Sequence, residues 1–136
     1  MRIEAIQKFL EGPLGGDVLA VYKRSEGILE TQKGDEPTFK EMKHPELVPG
    51  LFEYVEEHNL YQAVERVREI VHDAVLGNYH ERALNALASL RESQDAFVDR
   101  VLILDPEPQI RLNRLKLLSQ VCEIADLVAD FSQIEA

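Results

Sequence analysis

The sequence predicts an all-α protein, an antiparallel helical bundle. Three observations carry that reading. Apolar residues recur at helical spacing through nearly the whole of the 136 residues. No stretch alternates apolar and polar side chains as a half-buried strand would. The periodic runs are separated by short clusters of Gly, Asn, Asp and Pro, which suits helices joined by short connections.

Ile3, Ile6, Phe9 and Leu10 mark a first helix, and "GPLGGD" at 12–17 breaks it, with Asp17 placed to cap the next. A second helix over about 18–30 buries Val18, Leu19, Val21, Tyr22, Ile28 and Leu29, and Lys23 and Arg24 flank its apolar arc. Residues 31–50, "TQKGDEPTFKEMKHPELVPG", have mixed charge, three prolines and no period, so an irregular exposed loop is expected there. A short helix near 51–57 precedes a longer one over 59–76, with Ala63, Val64, Val67, Ile70, Val71, Ala74 and Val75 on its inner side. Gly77 suits the left-handed position past that helix end, and Asn78 the N-cap of the next. Residues 79–91 set Ala83, Leu84, Leu87 and Leu90 on one face, and Ser93 can cap a helix carrying Phe97, Val98, Val101 and Leu102. "RVLIL" at 100–104 is the one β-branched run that could be extended. Asp105 with Pro106 after it opens the last helix, over 106–131, with an anionic cap and a proline where no N–H is needed.

That last helix raises a question. At ~100° per residue, Arg111 and Arg114 share a side with Ile110, Leu117, Leu118 and Val121, whereas Asn113, Lys116, Ser119 and Gln120 lie opposite. An unpaired guanidinium in a core costs several kcal/mol, so both arginines need partners or an outlet. Asp95 and Asp99, an i,i+4 pair, are the acids expected to meet Arg111 or Arg114 at the bundle end.

Composition bounds the function. With 45% hydrophobic residues the chain can fold as a single domain over 1–136. No apolar run reaches the ~18 residues of a membrane span and no charged-then-apolar leader is seen. Cys122 stands alone among apolar helical positions and reads as a reduced core thiol, so cytoplasm is the expected compartment. Twenty-five acids against fifteen bases give a formal charge of -10, which repels phosphate at long range. Any contact with RNA must then be local, and a role on DNA or a membrane is not expected. His44, His58, His72 and His80 share no metal-ligand spacing, and "EGPLGGD" lacks the Gly-Lys-Ser/Thr ending of a phosphate loop. No nucleophile, acid–base or metal constellation appears, so no catalytic residue and no metal ligand is assigned.

One stretch resembles a known family. "FVDRVLILDPEPQIRLNRLKLLSQVCEIADLVADFSQI", residues 97–134, is similar to the C-terminal end of the β subunits of bacterial tetrameric glycyl-tRNA synthetases, with their aromatic-Asp-x-Val segment, acidic turn, Arg-x-Asn-Arg-Leu helix and closing Val-Ala-Asp-hydrophobic-Ser-x-Ile. "LAVYKRSEGIL" at 19–29 resembles the family's Lys-Arg helix, and "GNYHERALNALASLRESQDAFVDRV" at 77–101 its Gly-x-Tyr, alanine–leucine helix and Asp-Ala-Phe. The resemblance covers nearly the whole chain. It implies a helical anticodon-binding domain of the type named for an Asp-Ala-Leu-Arg motif. Ile110 and Arg111 match the Leu-Arg half of that motif, and Asn113, Arg114 and Leu115 match the family's residues just after it. Pro108 and Gln109 depart from Asp-Ala, and "SEG" at 25–27 lacks the family's asparagine.

The resemblance further implies that the chain is the C-terminal part of a longer ligase subunit working in protein biosynthesis. Its RNA contacts would come from Lys23, Arg24, Arg111, Asn113 and Arg114, with tRNA-Gly as the RNA and the synthetase α subunit as protein partner. The domain would hold no cofactor and have no activity by itself, because ATP and Mg2+ would be used by the complete enzyme. The competing reading is a helical protein–protein interaction module without RNA contact. A surface cluster of Lys23, Arg24, Arg111 and Arg114 would favour RNA, and the same side chains buried against acids would favour the scaffold.

Helical spacing alone sets one expectation. Leu118→Ala should cost roughly 2 to 5 kcal/mol, and Lys116→Ala under about 1 kcal/mol, in urea unfolding. Equal losses would mean that the register of the last helix is wrong.

Overall fold

The computed structural model describes residues 3–32 and 47–129, with side chains from residue 7 onward. Six α-helices occur among the described residues: α1 (Ile3–Leu10), α2 (Gly15–Glu30), α3 (Val55–Leu76), α4 (His80–Ala88), α5 (Arg91–Arg100) and α6 (Pro108–Val128). A 3-10 turn, Pro49–Leu51, stands before α3, and no strand occurs among the described residues. The expected all-α architecture is present. The loop expected at 31–50 falls mostly on 33–46, which lie outside the described residues, as does His44.

The bundle is organised around α6, which packs against α2 on one side and α3 on the other, while α3 also meets α4 and α5. This arrangement corrects the two-faced reading of the last helix. Asn113, Ser119 and Gln120, expected on a solvent side, are buried along with Leu115, Leu117, Leu118, Val121, Ile124 and Val128. A helix flanked on both sides has little outer surface left, and the partly exposed Lys116 marks it together with exposed Glu123 and Leu127. Cys122 is buried and unbridged, as expected of a core thiol.

Most other core positions fall where periodicity puts them, but Val75, expected on the inner side, is exposed, and Leu19, Ile28 and Ile70 are only partly buried. Val18, Val21, Tyr22 and Leu29 of α2, Val64, Val67 and Val71 of α3, and Ala83, Leu84, Leu87 and Leu90 are all buried in one core with Phe97. Residues 55–76 form one continuous helix rather than a short one and then a longer one.

The helix ends differ from the expected ones by one to three residues. The left-handed residue after α3 is Asn78, with φ of 62°, whereas Gly77 sits at φ -87°. Tyr79 N–H donates to Ala74 O at 2.8 Å and Asn78 N–H to Val75 O at 3.2 Å, the paired bonds of a Schellman ending. A Cβ at 77 would lie 2.5 Å from the exposed Tyr79 ring, which would have to turn aside. Tyr79, not Asn78, is the N-cap of α4. Asp17 lies inside the first turn of α2, whose N-cap is Leu14. Ser93 lies inside α5, which starts three residues earlier than expected, with the buried Leu90 at its N-cap. α5 stops at Arg100, so Val101 is extended and buried and Leu102 is exposed. The last helix is capped by Glu107 with Pro108 at its first position, a shift of two residues from the expected Asp105–Pro106.

Two measurements test this packing. Gly15 is so close to α1 that a Cβ would sit 2.0 Å from the Leu10 carbonyl oxygen, whereas nothing lies within 4 Å of one at Gly27. Gly15→Ala should therefore lose about 1 to 3 kcal/mol by forcing the backbones apart, and Gly27→Ala should gain about 0.5 to 1 kcal/mol from helix propensity, both read by urea unfolding. Secondly, burial raises the Tyr22 phenol above its ordinary value, reinforced by its hydroxyl donating to Glu26 Oε2 at 2.8 Å. A raised folded-state pKa means stability that is intact below the unfolded value of about 10 and lost as pH climbs beyond it. In phenolate absorbance titration Tyr22 should ionise above the ordinary tyrosine value of about 10, with stability falling above pH ~10.

Candidate nucleic-acid interface

The basic side chains picked out by sequence separate into different environments. Arg114 is 1% exposed. Its Nη1 donates to Leu102 O at 2.7 Å and lies 3.4 Å from Asp105 Oδ2. Its Nη2 reaches Glu53 Oε1 at 2.8 Å and the buried Glu57 Oε1 at 3.2 Å. One guanidinium thus ties α6 to the start of α3 and to the 101–105 turn. Asn113 makes an equally closed contact, its Oδ1 accepting from Val48 N–H at 2.9 Å and its Nδ2 donating to Val48 O at 3.1 Å. Both residues hold chain segments in place from inside the bundle.

Arg111, one turn earlier, is only half-buried, and its Nη1 donates to the backbone oxygen of Asp105 at 3.3 Å. No carboxylate pairs with it among the described residues. Arg111 and Arg114 therefore converge on Asp105 but are used differently. The difference arises because Arg114 points between α3 and the 101–105 turn, while Arg111 lies in the first turn of α6.

Arg24 takes the acids that sequence reasoning offers to Arg111 or Arg114. Its Nη1 meets Asp95 Oδ1 at 2.8 Å and its Nη2 meets Asp99 Oδ1 at 2.5 Å. The physical reason is the packing of α2 on α5, where Gln94 Nε2 donates to Val21 O at 2.9 Å and to Ser25 Oγ at 2.5 Å and so fixes the facing register. The hydrogen bond from Arg24 to Asp99 raises the Arg24 pKa, and the bond to Asp17 raises that of the neighbouring Arg91. Lys23 is exposed and makes no ion pair among the described residues. The four cations thus form no single surface cluster: Arg24 and Arg114 are held by acids, and Lys23 and Arg111 are not.

Sequence reasoning misses Tyr54. It precedes α3, is 47% exposed, and its ring centroid lies 5.4 Å from the Arg114 guanidinium carbon. Exposed Val55, Leu102 and Leu104 share this end of the bundle, since Arg114 binds Leu102 and residue 53 directly. The signal is present in "FEYVEE", where Glu57 stands three residues after an N-cap, but assigning the segment to a separate short helix hides it. His58 stacks edge-on against Phe52 at 5.0 Å. No group of three or more His, Cys, Asp or Glu side chains able to hold a metal occurs among the described residues.

Comparison with known proteins decides the family. Residues 18–131 match the DALR anticodon binding domain. The chain belongs to this family. It is similar to the glycine–tRNA ligase beta subunit of Rickettsia akari (strain Hartford), 32% identical over 138 residues that cover 98% of this chain and 19% of that protein. A second relative, that of Desulforudis audaxviator (strain MP104C), is 33% identical over 132 residues, covering 97% and 18%. The chain spans about a fifth of the length of these curated relatives. Within the DALR domain the Arg-x-Asn-Arg segment is therefore split in use: Asn113 and Arg114 face inward, and Arg111 keeps a charge that no described carboxylate neutralises. No described helix is long and apolar enough to cross a membrane.

The split gives a direct test. Arg114→Ala leaves three carboxylates, one of them buried, without their cation, and should cost about 3 to 5 kcal/mol. Arg111→Ala should cost under about 1 kcal/mol. Thermal unfolding separates them, with a drop of several degrees only for Arg114.

Proposed function

We propose that this domain binds the anticodon stem-loop of tRNA-Gly as part of a glycyl-tRNA synthetase β subunit. The observation that carries the reading is Arg111, a motif arginine at the start of α6 with no carboxylate partner among the described residues. Membership of an anticodon-binding family supplies the ligand class, and the similarity to glycine–tRNA ligase beta subunits supplies the amino acid. Arginine suits RNA loops because its planar fork can grip a phosphate or stack on an unpaired base. Lys23 adds a second uncommitted charge on α2.

In this reading the domain holds tRNA while the chemistry takes place elsewhere in the complete enzyme. ATP, Mg2+ and glycine are handled by the α subunit, which is the protein partner, and the assembly works in the cytoplasm. The exposed Leu102, Leu104 and Val55 also suit a docked protein, and a helical interaction module is the second reading.

Arg111→Ala in the complete synthetase distinguishes the two. Glycyl-adenylate formation and melting temperature should stay at wild-type values while tRNA-Gly aminoacylation falls. If Arg111 neutralises a phosphate, the ratio of wild-type to variant affinity narrows as salt is raised, because the variant has about one charge fewer to lose from its salt slope. A variant that melts normally and charges tRNA-Gly at the wild-type rate excludes RNA contact at Arg111.

A further inference from the structure

The end of the bundle around Arg114 has a chemistry that a phosphate-binding patch would not have. One guanidinium is surrounded by the carboxylates of Glu53, Glu57 and Asp105, so the neighbourhood carries excess negative charge. Yet it exposes a large flat ring. The Tyr54 backbone is pinned to Glu57 in both directions, its N–H donating to Glu57 Oε1 at 3.3 Å and its carbonyl accepting from Glu57 N–H at 3.1 Å. The cation 5.4 Å from the ring centroid braces it from the protein side. Nearly half of the residue's surface remains open. The Glu53 side chain is 52% exposed; it gives Oε1 to Arg114, and its Oε2 makes no hydrogen bond among the described residues.

We infer that Tyr54 is a stacking platform for one unpaired nucleobase and that Glu53 Oε2 accepts a hydrogen bond from that base's amino group. The inference rests on the RNA-binding reading above. A base is the occupant that fits, because it offers a neutral π face to a pre-positioned ring and needs no phosphate at an acidic spot. The second carboxylate oxygen then sorts the bases. Cytosine presents an amino donor at the edge where uracil presents a carbonyl, so a carboxylate attracts the first and repels the second. Arg111 shares Asp105 with Arg114 and has no carboxylate partner among the described residues, which leaves its charge for a phosphate of the RNA.

The experiment uses the 136-residue chain and two RNA hairpins with one stem and loops of only cytosine or only uracil, titrated by NMR so that weak binding is read. Wild type should prefer the cytosine loop and shift the Tyr54 ring resonances. Tyr54→Ala should weaken binding roughly fivefold to a hundredfold without changing the salt slope, and Tyr54→Trp should restore it. Glu53→Gln keeps a carbonyl for Arg114 and turns an amide NH2 outward, so the preference should move toward uracil. If Tyr54→Ala binds like wild type while Arg111→Ala does not, the platform is overturned and the RNA reading stands. Loss in Tyr54→Ala that Trp fails to restore makes Tyr54 a structural residue and also overturns it. If neither hairpin shifts any resonance, both readings fall.

Discussion

The Arg114 guanidinium is the contact on which this end of the structure depends. It brings the 53–57 segment, the 101–105 turn and α6 to one point, where it donates to four acceptors. Arginine is suited to the position because its two outer nitrogens point at different acceptors in fixed geometry, which a lysine ammonium cannot reproduce. Desolvating the charge is expensive, and a buried ion pair is weak evidence of net stability. What the arrangement does secure is register: Glu57 is itself buried and also accepts from the Glu53 and Tyr54 amides, so the start of α3 cannot slide without unpairing several groups together.

The helical class, the core positions of α2 to α5 and the breaks between them are legible in the sequence because each rests on local periodicity. The caps are less so. Chemistry of the right kind is recognisable near 77, 93 and 105, but the residue that takes each role is set by neighbours in space. Asp105 closes a turn before α6, its Oδ1 accepting from the Glu107 amide while its Oδ2 meets Arg114, and the helix itself starts two residues later with Glu107 as its cap. The buried polar face of α6 is invisible for a similar reason: whether Asn113 and Gln120 meet solvent depends on what folds over them, which for Asn113 is the Val48 backbone. Among the candidate contacts, Arg111 and Arg114 are indistinguishable by local pattern, since they differ in which acids happen to fold against them.

Part of the charge in this protein is committed to pairs that join its helices. Arg24 and Arg91 link α2 to α5 through Asp95, Asp99 and Asp17, and Arg114 closes the other end. Against the formal charge of -10 stand Lys8, Lys23, Arg66, Arg82, Arg111 and Lys116, which make no ion pair among the described residues. An acidic domain of an anticodon-binding family can still handle RNA if it recognises shape and base edges and leaves long-range attraction to other surfaces.

Asn113 grips Val48 only by its peptide N–H and C=O, and the Val48 side chain itself is half exposed. Such a grip is blind to the identity of the residue it holds. Any side chain but proline, which lacks the N–H, could stand at 48 without loosening the grip, whereas Asn113 could not change without losing both bonds.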